Sequence, residues 1–481
     1  MGGQVGRSGN TGGNIITYDG LINENYFKTT PETTKTNSIE FSHCQTLNPF
    51  TKKPETFLGL ILKSKFDGIG IKEPIDISIA LDISGSMSSP IKINDKNGEN
   101  RLNIAIEACK KLIENLDESV NLCLYAFDDK IEKIFDLSPK KDLISKLPLL
   151  NELKPRGGTK LDLALKHGIE TLENSTNKNK RIILISDDWF QFNETIKEIS
   201  KNAEEKNIGI TFLAISEEAN SNLAEFSTSF YNDNYYLIRN DDDIEKYLIN
   251  QFKFINFAYS YDIKLDIVND GNENNFKIEK IIGTGYDKDF NKDNNTNIFN
   301  IKNAFPSDLK SGFQEGGLIL LKYRPTNENE EVNFSFRFSY RERNNEIKNE
   351  LLNYKVKKLN DNNIFFSDEN IKKGVSIFYY GKFLRKIVKV KNNNIIYTQN
   401  GPMTVEKKMD EKEAEKFNKN KKFLERQSEN YDKIVKFFNN NYNDDVNQKR
   451  NEQYLDELKT TYDDYLDFMN KMYSNGNVTK L

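Results

Sequence analysis

The sequence predicts an α/β protein: a doubly wound, mostly parallel sheet inserted in a β-sandwich, with a C-terminal α-helical region. Three observations lead there. From Ile75 to about Phe257, short apolar or β-branched runs alternate with segments of helical period, the pattern of a parallel sheet covered on both faces. On either side the period falls to two, which marks half-buried antiparallel strands. From about residue 368 the period is helical, with no strands between the helices.

The 481 residues exceed what one hydrophobic core serves, so several domains are expected. The pattern places a disordered Gly-rich leader at 1–16, the first part of the sandwich at 17–72, the α/β domain at 73–257, the second part of the sandwich at 258–360 and a helical tail at 361–481.

Taken in order, "SIEFSHC" (38–44) and "TFLGLILKSKF" (56–66) are strands separated by the turn-forming "NPFTKKPE". "IDISIALD" (75–82) is a strand and "RLNIAIEACKKLIENL" (101–116) a helix. "VNLCLYAF" (120–127) and "IEKIFDL" (131–137) lie close enough to pair as a hairpin, with Asp128 and Asp129 in its turn. "DLISKLPLL" is a short helix and "TKLDLALKHGIETLEN" (159–174) a longer one, in which His167 is a packing or surface residue. The strand "RIILISD" (181–187), the helix in "NETIKEISKNAEEKN" and the strand "IGITFLAIS" (208–216) repeat the unit, and "NLAEFSTSF", "NYYLI" and "DDIEKYLINQFKFI" close it.

Beyond the α/β domain, "SYDIKLDIV" (260–268), "FKIEKIIG" (276–283), "GGLILLKYRP" (316–325) and "VNFSFRFSYRER" (332–343) alternate as strands, and the Asn- and Asp-rich stretch 284–305 reads as an exposed loop. Neither flank supplies a closed core alone, so strands within 38–66 are expected to pair with strands from 260–343. In "DENIKKGVSIFYYGKFLRKIVK" (368–389), Val375, Phe378, Phe383 and Ile387 fall near one helical stripe, and two more helical segments follow at about 409–440 and 448–473.

Charge and composition exclude several functions. With 69 basic and 73 acidic residues and no long region of one sign, a general nucleic-acid or anionic-membrane surface is not favoured. Only His43 and His167 are available to a zinc site or a histidine-based triad. Cys44, Cys109 and Cys123, widely spaced and odd in number, read as buried free thiols in a reducing compartment. No apolar run is long enough to span a membrane and the start lacks a signal-peptide core, so a cytoplasmic protein without a transmembrane segment is expected.

The first strand of the α/β domain ends in "DISGSM". Asp82, Ser84 and Ser86 alternate, so their oxygens converge if the chain curls, and Gly85 supplies the freedom to curl. Thr159, after "RGG", and Asp187, ending "RIILISD", belong to the same rim, where open α/β sheets bind ligands. Hard divalent cations take oxygen ligands, Mg²⁺ six of them near-octahedrally. Three hydroxyls and two carboxylates leave such an ion affinity for one outside anion. "NDKNGEN" (94–100) lacks EF-hand spacing and reads as a loop shaping this rim.

"DISGS", "GGT" and "ISD" resemble the metal-ion-dependent adhesion site (MIDAS) of the von Willebrand factor A (VWA) domain family, over residues 75–257. The resemblance implies a Rossmann-like sheet and Mg²⁺ (or Mn²⁺ or Ca²⁺) held directly by Ser84, Ser86 and Thr159, with Asp82 and Asp187 behind bound water. It further implies a sixth position filled by a Glu or Asp of a protein partner. "SDDW" departs from the family's usual Thr-Asp-Gly: Asp188 adds charge and Trp189 bulk to a partner-binding rim that also includes Gly85 and Gly158. "LINENYF", "FLGLILKSKFDG", "DIKLDI" and "IKKGVSIFYYGKFLRKIVK" resemble flanks of intracellular and bacterial proteins carrying this domain.

The expected function is metal-dependent protein binding, as a module or scaffold, and not catalysis. The alternatives are a Mg²⁺-dependent hydrolase or a structural metal site without ligand binding. Against an enzyme, the chain has no GxxxxGK[ST] and no GxSxG, and no base is at hand for Ser84 or Ser86.

Overall fold

The computed structural model describes residues 18–23, 25–30, 34–93, 96–187, 194–216, 233–268, 275–284, 288–289, 297–326, 331–357 and 364–395, with isolated positions beyond 432. A short helix, Tyr18–Asn23, and a short strand, Tyr26–Lys28, which pairs with Phe313–Glu315, come before the first long strands, β1 (Ser38–Leu47) and β2 (Pro54–Lys63). The α/β domain follows: β3 (Asp76–Asp82), α1 (Arg101–Asn115), β4 (Asn121–Phe127), β5 (Ile131–Pro139), α2 (Leu161–Glu173), β6 (Lys180–Ser186), α3 (Glu194–Glu205), β7 (Ile208–Ile215) and β8 (Asn234–Ile238).

These strands form one sheet of order β8-β7-β6-β3-β4-β5, parallel throughout except for the β4–β5 hairpin. Every residue of β3 is buried, so its apolar side chains serve both faces. On one face, α1 contributes Leu102, Ala105, Cys109 and Leu112. On the other, α2 contributes Leu165, Ile169 and Leu172, and α3 adds Ile196 and Ile199. The start of α1 is fixed by Asn100, whose side chain accepts the Asn103 N–H at 2.8 Å. The helical stretch after β8 is not uniform: Asp241–Ile244 and Phe252–Ile255 flank a π-helical turn, Glu245–Asn250.

Antiparallel strands follow: β9 (Ser260–Ile267), β10 (Phe276–Ile282), β11 (Asn297–Ala304), β12 (Leu318–Pro325), β13 (Val332–Glu342) and β14 (Ile347–Val356). A four-stranded sheet runs β11-β9-β13-β14. A six-stranded sheet runs from Lys288–Asp289 through β10, β12, β2 and β1 to Phe365–Phe366. The two flanks of the α/β domain therefore pair: Leu58 of β2 lies opposite Leu321 of β12, and Leu60 opposite Ile319. Aromatic contacts join the sheets, Phe41 stacking on Phe336 with centroids 5.6 Å apart and Tyr323 meeting Phe334 edge-on at 5.0 Å.

Two expectations are corrected. Most of "NDKNGEN" (94–100), read as a loop, is the short strand Lys96–Asn100, which pairs antiparallel with Pro90–Ile93. Part of the stretch 284–305, read as an exposed loop, is the strand β11, which pairs with β9 and buries Ile298, Phe299 and Ala304. Its apolar residues are few, but they fall where the sheet needs them. The strand β14 was not foreseen at all.

The helix α4 (Glu369–Ile395) lies on the six-stranded sheet, with Ile371, Val375 and Phe378 against Phe57, Leu318 and Leu320. Gly374 permits the approach, because a Cβ there would come within 2.3 Å of Leu318 Cδ2. Beyond it, Phe437 meets the Tyr379 ring edge-on at 5.4 Å. The rest of the expected helical tail, and the Gly-rich leader, lie outside the described residues.

The three cysteines are free and buried, and His167 packs edge-on against Tyr125. No helix among the described residues is long and apolar enough to cross a membrane.

Candidate functional site

The strands β3 and β6 are neighbours, so their carboxyl ends reach the same rim. Past Asp82 the chain enters a short 3-10 turn, Gly85–Ser88, which the buried Met87 anchors to the core. Asp82 is 0% exposed and its two oxygens are both engaged: Oδ1 accepts the Ser84 N–H at 2.7 Å and Oδ2 the Ser186 hydroxyl at 2.5 Å. Burial pushes its pKa up to about 6, against the pull of the Ser186 and Ser84 donors, and the nearby Asp187 adds to the rise. The turn sets Ser84 Oγ 3.1 Å from Ser86 Oγ.

A second loop is laced to the first. The Gly85 N–H donates to the Gly157 carbonyl at 3.1 Å and the Arg156 N–H to the Ile83 carbonyl at 2.7 Å. Gly157 has φ +67°, and a Cβ there would press against the carboxylates of Asp129 and Asp128 at 3.0 and 3.1 Å. Those aspartates hold the loop: Asp129 Oδ2 accepts the Gly158 N–H at 2.9 Å, and Asp128 Oδ2 accepts Arg156 Nε at 2.9 Å. The Lys160 N–H donates to the Asp128 carbonyl at 3.0 Å, so Thr159 sits between two fixed points.

Asp187, just past β6, is held from α1. Its Oδ2 accepts Arg101 Nη1 at 3.0 Å, with the carboxylate side chain 2% exposed and the arginine 11%. Arg101 is the first residue of α1, and its own N–H is tied to the Ser89 carbonyl at 3.0 Å.

Of the residues singled out from the sequence, Ser84 touches both Asp82 and Ser86, and Asp187 lies close enough to act on Asp82 electrostatically. Thr159 is exposed on the same rim, with no hydrogen bond to Ser84 or Ser86 among the described contacts. Gly85 and Gly158 are exposed, while Asp188 and Trp189 lie outside the described residues. Sequence reasoning missed Ser186, Arg101 and the holding roles of Asp128 and Asp129. The signal for Ser186 was its place directly before Asp187; nothing in the sequence linked Arg101 to either aspartate.

Among the described residues, no three His, Cys, Asp or Glu side chains gather as a metal cluster. The donors here are of a different kind, two carboxylates among hydroxyls, and their geometry suits a small hard cation. Adjacent ligands of an octahedron with bonds of about 2.1 Å stand about 3.0 Å apart, and the two serine hydroxyls stand 3.1 Å apart. Asp82, with both oxygens engaged, suits a place behind bound water.

Residues 76–250 match the family model of the von Willebrand factor type A domain. None of the curated proteins compared matches the chain. Among solved structures the chain is similar to a von Willebrand factor type A protein from Catenulispora acidiphila (12% identity, TM-score 0.45, 75% of this chain and 82% of that one). It is also similar to the ArnB paralog VWA2 from Sulfolobus acidocaldarius (14%, 0.39, 90% and 98%) and to the conserved hypothetical protein BatB from Bacteroides thetaiotaomicron (18%, 0.32, 38% and 98%).

Proposed function

We propose that the von Willebrand factor type A domain at residues 76–250 is a divalent-cation-dependent protein-binding module, with the antiparallel sheets around it as the expected β-sandwich scaffold. The observation that carries this reading is the pair of serine hydroxyls 3.1 Å apart at the end of a buried strand, above a fully buried carboxylate. Ser84, Ser86 and Thr159 would hold the ion, with Asp82 and Asp187 behind them; when bound, it offers an electrophilic position that a carboxylate fills better than water. Before any ion arrives, Ser84 and Ser86 are oriented by the 3-10 turn, and Asp82 is kept in place by Ser186. The Gly157–Thr159 loop is seated by Asp128 and Asp129. The domain is thus preorganised for its partner, taken to be a protein surface with an exposed Glu or Asp in the cytoplasm.

The test is titration of the full chain with Mn²⁺, followed by the relaxation of water protons. Ser86→Ala and Thr159→Ala should each weaken binding by about tenfold or more, since each removes one of few direct ligands. Unchanged affinity in both variants overturns the reading.

A further inference from the structure

We infer that Arg101 sets the charge of this site, giving up cation affinity to make the loaded rim attract a carboxylate. The inference rests on the metal-binding reading above and concerns a residue that the sequence motif does not contain.

The guanidinium is committed to this place. Its hydrogen bond to Asp187 is its only one among the described residues, Nε being buried without a partner. The backbone of Arg101 is pinned by the Ser89 carbonyl and by the Asn100 cap of α1, so the side chain leaves a fixed point. A cation this well buried has one evident counter-charge, the carboxylate it touches.

At the rim Asp82 and Asp187 are negative and Arg101 is positive, while Asp128, Asp129 and Arg156 stand behind the neighbouring Gly157–Thr159 loop. Whatever the sum of these charges, Arg101 makes it one unit more positive, both before a divalent ion enters and after. Without Arg101 the loaded site would be one unit more negative. Two opposite effects follow from one side chain. The arginine repels the incoming cation and already neutralises one of the two carboxylates, which weakens capture. Once the cation is in place, the same arginine leaves the rim one unit more positive than it would otherwise be, which favours an anionic ligand over a neutral one.

The test uses the full chain at pH 7.5, with Mn²⁺ as the metal probe and acetate as the carboxylate probe, both followed by water-proton relaxation. Arg101→Met keeps length and apolar bulk without charge, and Arg101→Lys keeps charge. Arg101→Met should bind Mn²⁺ about tenfold more tightly, while the loaded variant should bind acetate about fivefold or more weakly. Arg101→Lys should stay near the wild type in both. Mn²⁺ binding by Arg101→Met but not by wild type overturns it, because the wild-type rim would then never be loaded. Equal Mn²⁺ and acetate affinities in wild type and Arg101→Met overturn it and leave the metal site standing. Weaker Mn²⁺ binding by Arg101→Met overturns it in favour of a positioning role. Absence of Mn²⁺ binding in wild type and all variants overturns both readings. Circular dichroism of each variant confirms the fold before titration.

Discussion

Arg181, fully buried at the start of β6, donates to the carbonyl oxygen of Asn256 twice, from Nε at 2.9 Å and from Nη2 at 2.5 Å. Its third contact, Nη1 to Thr211 Oγ1 at 2.8 Å, fastens the neighbouring strand β7. Asn256 lies between the last helical turn of the α/β domain and β9, so one side chain ties the base of the parallel sheet to the segment that leaves it. Burial lowers its pKa to about 10, which keeps it charged at neutral pH.

Arg181→Lys should therefore destabilise the chain by about 3 kcal/mol or more, because a point charge cannot reproduce a fork and charged hydrogen bonds are worth roughly 1.5–3 kcal/mol each. Urea unfolding followed by circular dichroism measures it. Mn²⁺ affinity at the opposite rim should not change.

The two rim aspartates should respond differently to substitution in the presence of chelator. Asp187→Ala leaves Arg101 buried without its counter-charge and should cost about 3–5 kcal/mol. Asp82→Asn keeps an acceptor for the Ser84 N–H and removes a buried charge, so its cost should stay within about 1 kcal/mol. Thermal melts of the two variants side by side separate the cases.

Stability should depend on pH through Asp67. This buried carboxyl follows β2 and accepts the Ser64 and Ser307 N–H groups at 2.7 and 2.8 Å, while burial pushes its pKa up to about 6. The folded state then holds the proton more tightly than the unfolded one. Its contribution is fully present below pH of about 4 and is lost as pH rises through about 6, by up to roughly 3 kcal/mol. Denaturant unfolding at pH 4.5 and 7, in wild type and Asp67→Asn, should show that part of the slope only in the wild type.

Gly374→Ala should destabilise the chain by about 1–3 kcal/mol despite the better helix propensity of alanine, because the added methyl meets Leu318 and α4 must lift from the sheet. A melting temperature equal to or above that of the wild type would contradict the packing described here.

What could be read from the sequence followed from periodicity. The strand ending at Asp82 and the helix beginning at Arg101 stand within one residue of their expected bounds, because apolar residues recur at the right spacing. β11 escaped notice because Asn and Asp surround its few buried residues. β14 escaped because Ile347 and Leu351 point outward, which breaks the alternation that marks a half-buried strand. The π-helical turn after β8 leaves no periodic trace. At the site, the oxygens of "DISGS" were legible from their spacing. The Arg101–Asp187 pair was not, since only the folded sheet brings those positions together. Asp128 and Asp129 do occupy a hairpin turn, as expected; that the turn also seats the neighbouring loop is a matter of tertiary structure.

The pairing of β2 with β12 has a consequence for the order in which the protein is made. During synthesis, residues 54–63 emerge long before residues 318–325, and the whole α/β domain appears between them. A ribosome-bound chain must therefore carry an apolar hairpin, β1–β2, with one long edge unpaired while the domain behind it folds. The late closure makes that edge the point at which nascent chains meet one another or a chaperone, and slowing translation after β8 would prolong the exposure without altering any contact of the finished molecule.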